Sequence, residues 1–313
     1  MDDTSTRAPV IPVAEASTAV KISSTAEAQL TGWRFNAVFA ALFTGLFLAM
    51  LDTTIVAVAL TTMAAQFEDF SRATWVVSAY LLTYMACAII MARLSDIFGK
   101  KTIEVTSFVI FIVSSMACAL SKSMLQLIVF RALQGIGGSG LYSMTMVVAP
   151  SVASEERVGM IAALVSMVQV VAGVLGPILG GVISHDRTSS TWRWIFWINL
   201  PIGCAALCAL LLAWPRDKKQ QTGSRQTLSS VDFVGAILLL AFSILVVFAL
   251  QEGGTYVYQW NSPAIIVTLV LSGVSLLAFI GWQELVSRRS AWLVKGIFPI
   301  QIAKTRTMGS NIL

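Results

Sequence analysis

Long apolar runs separated by short polar stretches constrain this chain more than any other feature of its sequence. The hydrocarbon core of a bilayer is about 30 Å thick, so a helix needs about 20 apolar residues to cross it. Eight segments of the chain meet that requirement. The predicted spans are Phe35–Ala65, Thr74–Met91, Thr102–Leu120, Leu125–Ala149, Val158–Ser184, Trp194–Trp214, Phe233–Gln251 and Pro263–Leu285. Charged residues make up only 12% of the 313 residues, whereas a soluble domain has about 25%. We therefore predict an all-α integral membrane protein.

The polar stretches divide the chain into five parts. Residues 1–33 are rich in Ser, Thr and Ala, which is typical of a disordered tail. Residues 34–214 hold six spans, and the polar linker 215–230 separates them from two more spans in residues 231–286. Residues 287–313 are too charged to span a membrane and are predicted to form an amphipathic tail.

The distribution of basic residues predicts the orientation. If the N-terminus is cytosolic, 16 of the 21 Lys and Arg residues lie on the inner side. The outer side holds Arg72, Lys122, Arg187 and Arg193, and Arg131 lies within a span. An inner excess of this kind follows the positive-inside rule, so both termini are predicted to be cytosolic. The basic residues are scattered among loops rather than gathered on one face, which argues against a nucleic-acid partner.

Two charged residues lie deep inside predicted spans, Asp52 in the first and Arg131 in the fourth. A charge at membrane depth is unfavourable by several kcal/mol unless it is neutralised or paired, so both side chains should face a bundle interior or a cavity. Burial favours the protonated form of a carboxyl group, which is a condition for reversible proton binding. Arginine stays a permanent cation. A structural hydrogen bond to a neighbouring helix is the alternative role for Asp52.

Two stretches carry residues that turn or bend the chain. The loop Ala92–Lys101 joins spans two and three; Gly99 permits its tight turn, and Asp96 either caps the third helix or contacts the positive end of another helix. In the fifth span, Gly173–Gly181 combines Pro177 with several glycines. That combination favours a kinked and closely packed helix.

Other polar residues suggest ordinary structural roles. Glu104 is expected to pair with the basic loop that precedes it, and Trp192–Gly203 is expected to be an interfacial anchor. The sequence contains no P-loop, no nucleophile elbow and no cluster of metal ligands. ATP-driven transport and hydrolysis therefore gain no support.

Taken in order, five stretches resemble the signature motifs of the major facilitator superfamily. They are Leu51–Val56, Asp96–Lys101, Arg131–Gly135, Gly176–Gly181 and Trp192–Gly203. They are most similar to the fourteen-span drug:proton antiporter branch, in particular to its fungal efflux pumps. The resemblance implies an N-terminal six-helix bundle followed by two additional transmembrane helices.

The resemblance also implies three groups of functional residues. Proton coupling and the substrate cavity are assigned to Asp52, Arg131 and Gln134. A conformational loop that locks one state is assigned to Asp96, Gly99, Lys100 and Lys101. An antiporter-type helix motif that closes the interface between two halves is assigned to Gly176, Pro177, Gly180 and Gly181.

The activity implied by the resemblance is secondary active transport, namely proton-coupled efflux of small amphiphilic drugs, toxins or secondary metabolites. It is driven by the proton gradient, with no cofactor and no metal. The expected partners are the lipid bilayer, protons, the substrate, and a missing C-terminal bundle or a second chain. The expected location is the plasma membrane, with the vacuolar membrane as the alternative.

The number of predicted spans leaves alternatives open for what the chain does. Members of the branch have fourteen spans, so this chain is expected to be a fragment truncated after the eighth. With only one half present, Asp52 and Arg131 are expected to face lipid or a partner. The alternatives to efflux are a non-transporting half-protein that regulates a full-length transporter, and an importer of the same superfamily.

Overall fold

The computed structural model describes residues 32–152, 158–185, 191–214, 233–254 and 258–288, which form eight helices without a strand. Helices α1 to α6 are Trp33–Phe67, Thr74–Phe98, Lys100–Ala119, Met124–Val152, Val158–His185 and Arg193–Ala213. Helices α7 and α8 are Phe233–Glu252 and Pro263–Arg288. Each helix coincides with a predicted span, which confirms the all-α membrane architecture for this part of the chain. The predicted tails and the linker lie almost entirely outside the described residues.

Six of these helices are long and apolar enough to cross a membrane, namely α1, α2, α3, α5, α6 and α8. Helix α4 has 29 residues, but two glutamines, four glycines and Arg131 lower its mean hydropathy. In α7 the described apolar stretch is Ile237–Leu250. Both helices nevertheless pack along other spans, α4 along α2 and α3, and α7 along α8. The lower hydropathy of α4 is explained by its central place in the bundle, where it contacts protein more than lipid.

Glycines bring α4 close to its neighbours. A Cβ atom added at Gly137 would lie 2.6 Å from the backbone nitrogen of Phe111 on α3. One added at Gly135 would lie 2.5 Å from the carbonyl oxygen of Tyr80 on α2. Because any side chain at these positions would collide with backbone, the glycine run after Arg131 sets the spacing of α2, α3 and α4.

Helix α2 continues to Phe98, so Gly99 alone separates it from α3. Gly99 has φ +87°, a conformation that glycine adopts without a steric penalty. The loop predicted over Ala92–Lys101 is therefore mostly helical, because one residue is enough to change the direction of the chain. Asp96 lies in the last turn of α2, and Lys100 begins α3.

Helices α7 and α8 pack against each other, and α7 also packs against α2. The contact with α2 includes the rings of Trp75 and Phe248, whose centroids are 5.8 Å apart. Phe248 also makes an edge contact with Tyr258, just before α8, at 6.1 Å. Aromatic contacts thus fix the additional pair of helices to one edge of the six-helix bundle.

Candidate functional site

An ion pair between α1 and α4 forms the centre of the candidate site. The Nη1 atom of Arg131 donates to the Oδ2 atom of Asp52. Both side chains are 0% exposed. The two residues are far apart in the sequence, and the close packing of the bundle brings them together. The prediction that both face a bundle interior is confirmed.

Two amide side chains complete the contacts of the Asp52 carboxylate. Its Oδ1 atom accepts hydrogen bonds from Gln134 Nε2 at 3.1 Å and from Asn199 Nδ2 at 3.3 Å. The Oε1 atom of Gln134 in turn accepts from Arg131 Nη1 at 2.9 Å. The structure therefore brings together all three residues that the resemblance assigned to proton coupling and the substrate cavity.

Asn199 is the member of this network that the sequence analysis missed. It lies in α6, inside the stretch interpreted as an interfacial anchor, and is buried. Besides its bond to Asp52, it donates to the Ser115 hydroxyl at 3.2 Å, and Ser115 donates to the Phe196 carbonyl at 3.0 Å. This chain of bonds fixes the α6 amide relative to α3 and orients it toward the carboxylate.

Aromatic rings and a backbone carbonyl enclose the guanidinium of Arg131. Its central carbon lies 4.1 Å from the centroid of the Tyr80 ring and 5.9 Å from that of Phe196. Its Nε atom donates to the Val76 carbonyl at 3.2 Å. The Nη2 atom has no partner among the described residues. The guanidinium is thus held by one carbonyl and lies against aromatic rings inside the bundle.

The expectation that Asp52 and Arg131 face lipid or a partner was wrong. They pair with each other and are covered by α1, α2, α4 and α6 of the same bundle. The expectation treated the two charges separately, whereas their pairing satisfies both within the first six helices. A second bundle is therefore not needed to shield them.

The residues assigned to the conformational loop lie together at the α2–α3 turn. Asp96 is exposed and pairs with Arg93 at 4.0 Å within α2. It does not cap α3, whose N-cap residue is Gly99 and has no side-chain cap. Lys100 donates to the Ser151 hydroxyl at 3.0 Å, which ties the start of α3 to the end of α4. Lys101 is the next residue of α3.

The position of Glu104 contradicts another prediction, namely that it pairs with the basic loop before it. It is fully buried, and neither of its carboxyl oxygens has a hydrogen-bond partner among the described residues. It does not pair with the basic residues of the α2–α3 turn, because Lys100 points to Ser151 instead.

The glycines of α5 fall on two different sides of the helix. Added Cβ atoms at Gly176 and Gly180 would collide with Thr54 and with the Ile55 carbonyl of α1, so these two glycines pack α5 against α1. Gly181 has open space around its Cβ position. Pro177 is exposed, and the helix continues through it.

No group of three or more His, Cys, Asp or Glu side chains that could hold a metal ion occurs among the residues the structure describes. The site therefore consists of one carboxylate, one guanidinium and two amides. Such a set can exchange a proton and can bind charged or hydrogen-bonding groups.

Comparison with known proteins gives consistent matches. The model of the Major Facilitator Superfamily matches residues 42–303. The chain is 43% identical over 286 residues to the MFS-type transporter FPY5 of Fusarium mangiferae, covering 88% of this chain and 47% of that protein. It is 39% identical over 249 residues to the MFS-type efflux pump MMF1 of Pseudozyma antarctica, covering 79% of this chain and 45% of that protein.

A third relative and one solved structure agree with these matches. The efflux pump roqT of Penicillium rubens is 34% identical, with 89% of this chain and 50% of that protein covered. The crystal structure of a D-xylose–proton symporter matches with a TM-score of 0.50 and 15% identity, covering 80% of this chain and 68% of that one. This structural match supports the fold alone. The chain spans about half the length of the curated relatives it matches.

Proposed function

The chain belongs to the Major Facilitator Superfamily, and from that premise we propose that it forms the first half of a proton-coupled exporter of small amphiphilic molecules. Relatives named as efflux pumps support export as the direction of transport. Because the chain spans about half of their length, the proposal requires a second bundle as its partner. In transporters of this superfamily the substrate lies between two such halves.

The buried Asp52–Arg131 pair is the observation that carries the coupling to protons. Removing one partner of a buried ion pair is unfavourable by about 3–5 kcal/mol, since the other charge is left without compensation. A proton on Asp52 would remove the charge that Arg131 needs. Loss of the Asp52 charge therefore requires that water or a ligand reach Arg131 in its place. Proton binding is in this way coupled to opening of the bundle.

The same carboxylate gives a physical basis for antiport. A cationic or hydrogen-bond-donating substrate would compete for Asp52 with Arg131, and so would a proton. Because a protonated Asp52 has no charge to offer, the proton and such a substrate exclude each other. Exclusive binding of the two ligands at one group is what exchange across a membrane requires.

The side of α5 that faces away from α1 is the surface on which we place the second bundle. Val170, Val174 and Val182 are 65%, 57% and 70% exposed. Added Cβ atoms at Gly173 and Gly181 would meet nothing within 4 Å. Small residues on an open helix face allow another helix to approach closely. Gly181 would then belong to the interface between halves, while Gly176 and Gly180 hold α5 on α1.

The α2–α3 turn would act as a lock on one conformation. Asp96 is exposed at the end of α2, where it can contact a helix of the second bundle. Lys100 and Ser151 fix the turn to α4. With the N-terminus in the cytosol, as the charge distribution predicts, this lock lies on the cytosolic side, and the plasma membrane is the location that suits an exporter.

The test is efflux of ethidium, an amphiphilic cation, from membrane vesicles under an imposed pH gradient. The assay compares the 313-residue chain with a version extended in frame through its adjoining coding sequence. Each is prepared unmodified, with Asp52→Asn and with Asp69→Asn. The last is the matched control, because Asp69 undergoes the same chemical change but lies in the turn after α1, where it pairs with Arg72 at 3.8 Å.

Gradient-dependent export by the extended protein that is lost with Asp52→Asn and kept with Asp69→Asn supports the proposal. Export that survives Asp52→Asn would refute coupling through this carboxylate. Inward accumulation of the probe would indicate an importer. A correctly inserted extended protein that transports no probe, across a panel that also includes neutral and anionic amphiphiles, would favour a non-transporting half-protein.

A further inference from the structure

Glu104 is a second acidic residue inside the bundle, and its surroundings differ from those of Asp52. It lies four residues after Lys100 in α3 and is fully buried. Neither carboxyl oxygen has a hydrogen-bond partner among the described residues. Both oxygens of Asp52, in contrast, accept hydrogen bonds. Glu104 is therefore not part of the network that the proposed function uses.

Solvation determines whether the protonated or the ionised form of Glu104 is the more stable at this buried position. An ionised carboxylate buried without a partner is so unfavourable that such a group becomes neutral by taking up a proton. The bilayer makes the same demand on acidic residues in transmembrane helices. Missing hydrogen bonds also cost a neutral carboxyl group less free energy than they cost a charged one. The position is therefore suited to a carboxyl group that holds a proton.

The polar groups nearest to Glu104 in the sequence are directed elsewhere. On α3, Lys100 donates to Ser151, and the Ser107 hydroxyl donates to the Ile103 carbonyl at 2.7 Å. Lys101 lies three residues before Glu104, a spacing that also allows pairing, but in the structure it makes no hydrogen bond to the Glu104 carboxyl group.

The helices packed near α3 bring no further charge to this place in the described part of the chain. On α2, Arg93 and Asp96 pair with each other at the partly exposed end of the helix. The charged residue of α4 is Arg131, which pairs with Asp52. Arg193 of α6 donates to the Ala119 carbonyl at the opposite end of α3. On α1, Arg34 is exposed and lies 5.8 Å from the ring of Trp33.

We propose that Glu104 is a proton-binding site distinct from Asp52, and that Lys100 is the cation it meets when it loses its proton. Residues four apart share one face of a helix and can pair. Glu104 lies about 6 Å along the helix from Lys100, so water needs to penetrate little more than one turn to reach it. In the structure the Lys100 ammonium is bound to Ser151 instead.

The step involves one proton and one hydrogen bond. When water enters at the α2–α3 turn, the neutral carboxyl group of Glu104 transfers its proton to water and becomes a carboxylate. The carboxylate attracts the Lys100 ammonium, and the hydrogen bond from Lys100 to Ser151 breaks. The start of α3 is then no longer tied to the end of α4. Uptake of a proton restores the tie.

Infrared difference spectroscopy of the 313-residue chain in lipid nanodiscs tests the site without any transport assay. Spectra are recorded between about pH 6 and about pH 9, where exposed carboxyl groups are ionised and do not contribute to the band. We expect the carbonyl-stretch band of a protonated carboxyl group to disappear as the pH rises. The band should be absent with Glu104→Gln and retained with Asp52→Asn, so this result does not depend on the role of Asp52.

A Glu104→Gln chain that keeps the full band of the unmodified chain would overturn the proposal. If Glu104→Gln does not fold, the unmodified chain still decides, because the complete absence of a protonated-carboxyl band from it at the acid end has the same meaning. Glu104→Asp supplies the positive control in that case, since it keeps the carboxyl group and should only shift the band.

A separate pair of variants tests the role of Lys100. Lys100→Gln removes the cation that stabilises the carboxylate, so the midpoint of the band's disappearance should move to higher pH by about one unit, a tenfold change in proton affinity. Lys101→Gln removes the other cation within reach of Glu104 on α3, three residues before it, and should move the midpoint less, because Lys100 is the proposed partner. Equal shifts in the two variants would overturn the pairing of Glu104 with Lys100.

Discussion

A methyl group added at Gly137 should separate two helices of the bundle and lower its stability. The new Cβ would lie 2.6 Å from the backbone nitrogen of Phe111, 2.9 Å from its Cα and 3.0 Å from its Cβ. Carbon atoms normally approach to about 3.5–4.0 Å, so α3 and α4 would have to move apart by about 1 Å. Overpacking of this kind lowers the free energy of unfolding by about 1–3 kcal/mol.

The matched control is Gly173→Ala on α5, where an added Cβ meets nothing within 4 Å. Both substitutions gain about 0.5–1 kcal/mol because alanine is the better helix former. The difference between the two variants therefore isolates the steric effect, and we expect it to be about 1–3 kcal/mol. Unfolding by sodium dodecyl sulfate in mixed micelles, followed by circular dichroism, measures both free energies.

A second comparison tests whether backbone causes the clash. Phe111→Ala removes the ring but leaves the backbone nitrogen, Cα and Cβ in place. Gly137→Ala should therefore still lower the free energy of unfolding in the Phe111→Ala background, even though residues in contact couple by about 0.5–3 kcal/mol. The reasoning is refuted if Gly137→Ala is as stable as Gly173→Ala. It is also refuted if Phe111→Ala relieves the loss entirely.

Three further predictions concern the charged site and the lipid-facing surface. Arg131→Gln should lower the free energy of unfolding by about 3–5 kcal/mol, and adding Asp52→Asn should recover part of that loss in the same assay; no recovery would contradict the pairing. Tyr80→Phe keeps the ring beside Arg131 but loses the hydrogen bond to the Ala49 carbonyl at 3.1 Å, so it should lower the free energy of unfolding by about 1 kcal/mol. Tyr80→Leu also removes the ring and should lower it by about 2 kcal/mol more. Equal losses in the two variants would exclude a contribution from the ring. Cys204 and Cys208 are exposed on α6, so nitroxide labels there should be more accessible to oxygen than to a water-soluble nickel complex in electron paramagnetic resonance; the opposite order would place this face in water.

The membrane spans and the inward position of the two buried charges could be predicted, because each follows from a strong physical requirement. An apolar run of sufficient length has few alternatives to a transmembrane helix. A charge inside such a run requires a partner, which directed attention to Asp52 and Arg131. Their pairing could not be derived, since the sequence alone does not determine which helices are neighbours.

Asn199 shows what the sequence analysis overlooked. Trp192, Ile195, Phe196, Asn199 and Gly203 are spaced as one face of a helix, and the structure buries all five. That spacing could have identified Asn199 as an inward-facing amide. The aromatic residues of the stretch instead suggested an interfacial anchor.

The pairing expected of Glu104 and the capping role considered for Asp96 were wrong for a related reason, whereas the other role considered for Asp96, contact with the positive end of another helix, stays a prediction. Both lie close in sequence to basic residues, so local pairing or capping was the natural expectation. In the structure α2 extends through Asp96, and α3 turns Glu104 toward the interior. Such effects depend on the direction in which each helix face points after packing, which neighbouring residues do not reveal.

The sequence separation within the Asp52 network has a consequence for biosynthesis. Arg131 follows Asp52 by 79 residues and Asn199 follows it by 147. At about 5–20 residues per second, the ribosome supplies the arginine about 4–16 s after the aspartate. During that interval the Asp52 carboxyl group has neither Arg131 nor Asn199 as a partner, so its charge is unfavourable at membrane depth unless water or a proton compensates it. The emergence of α4 supplies the first of these partners.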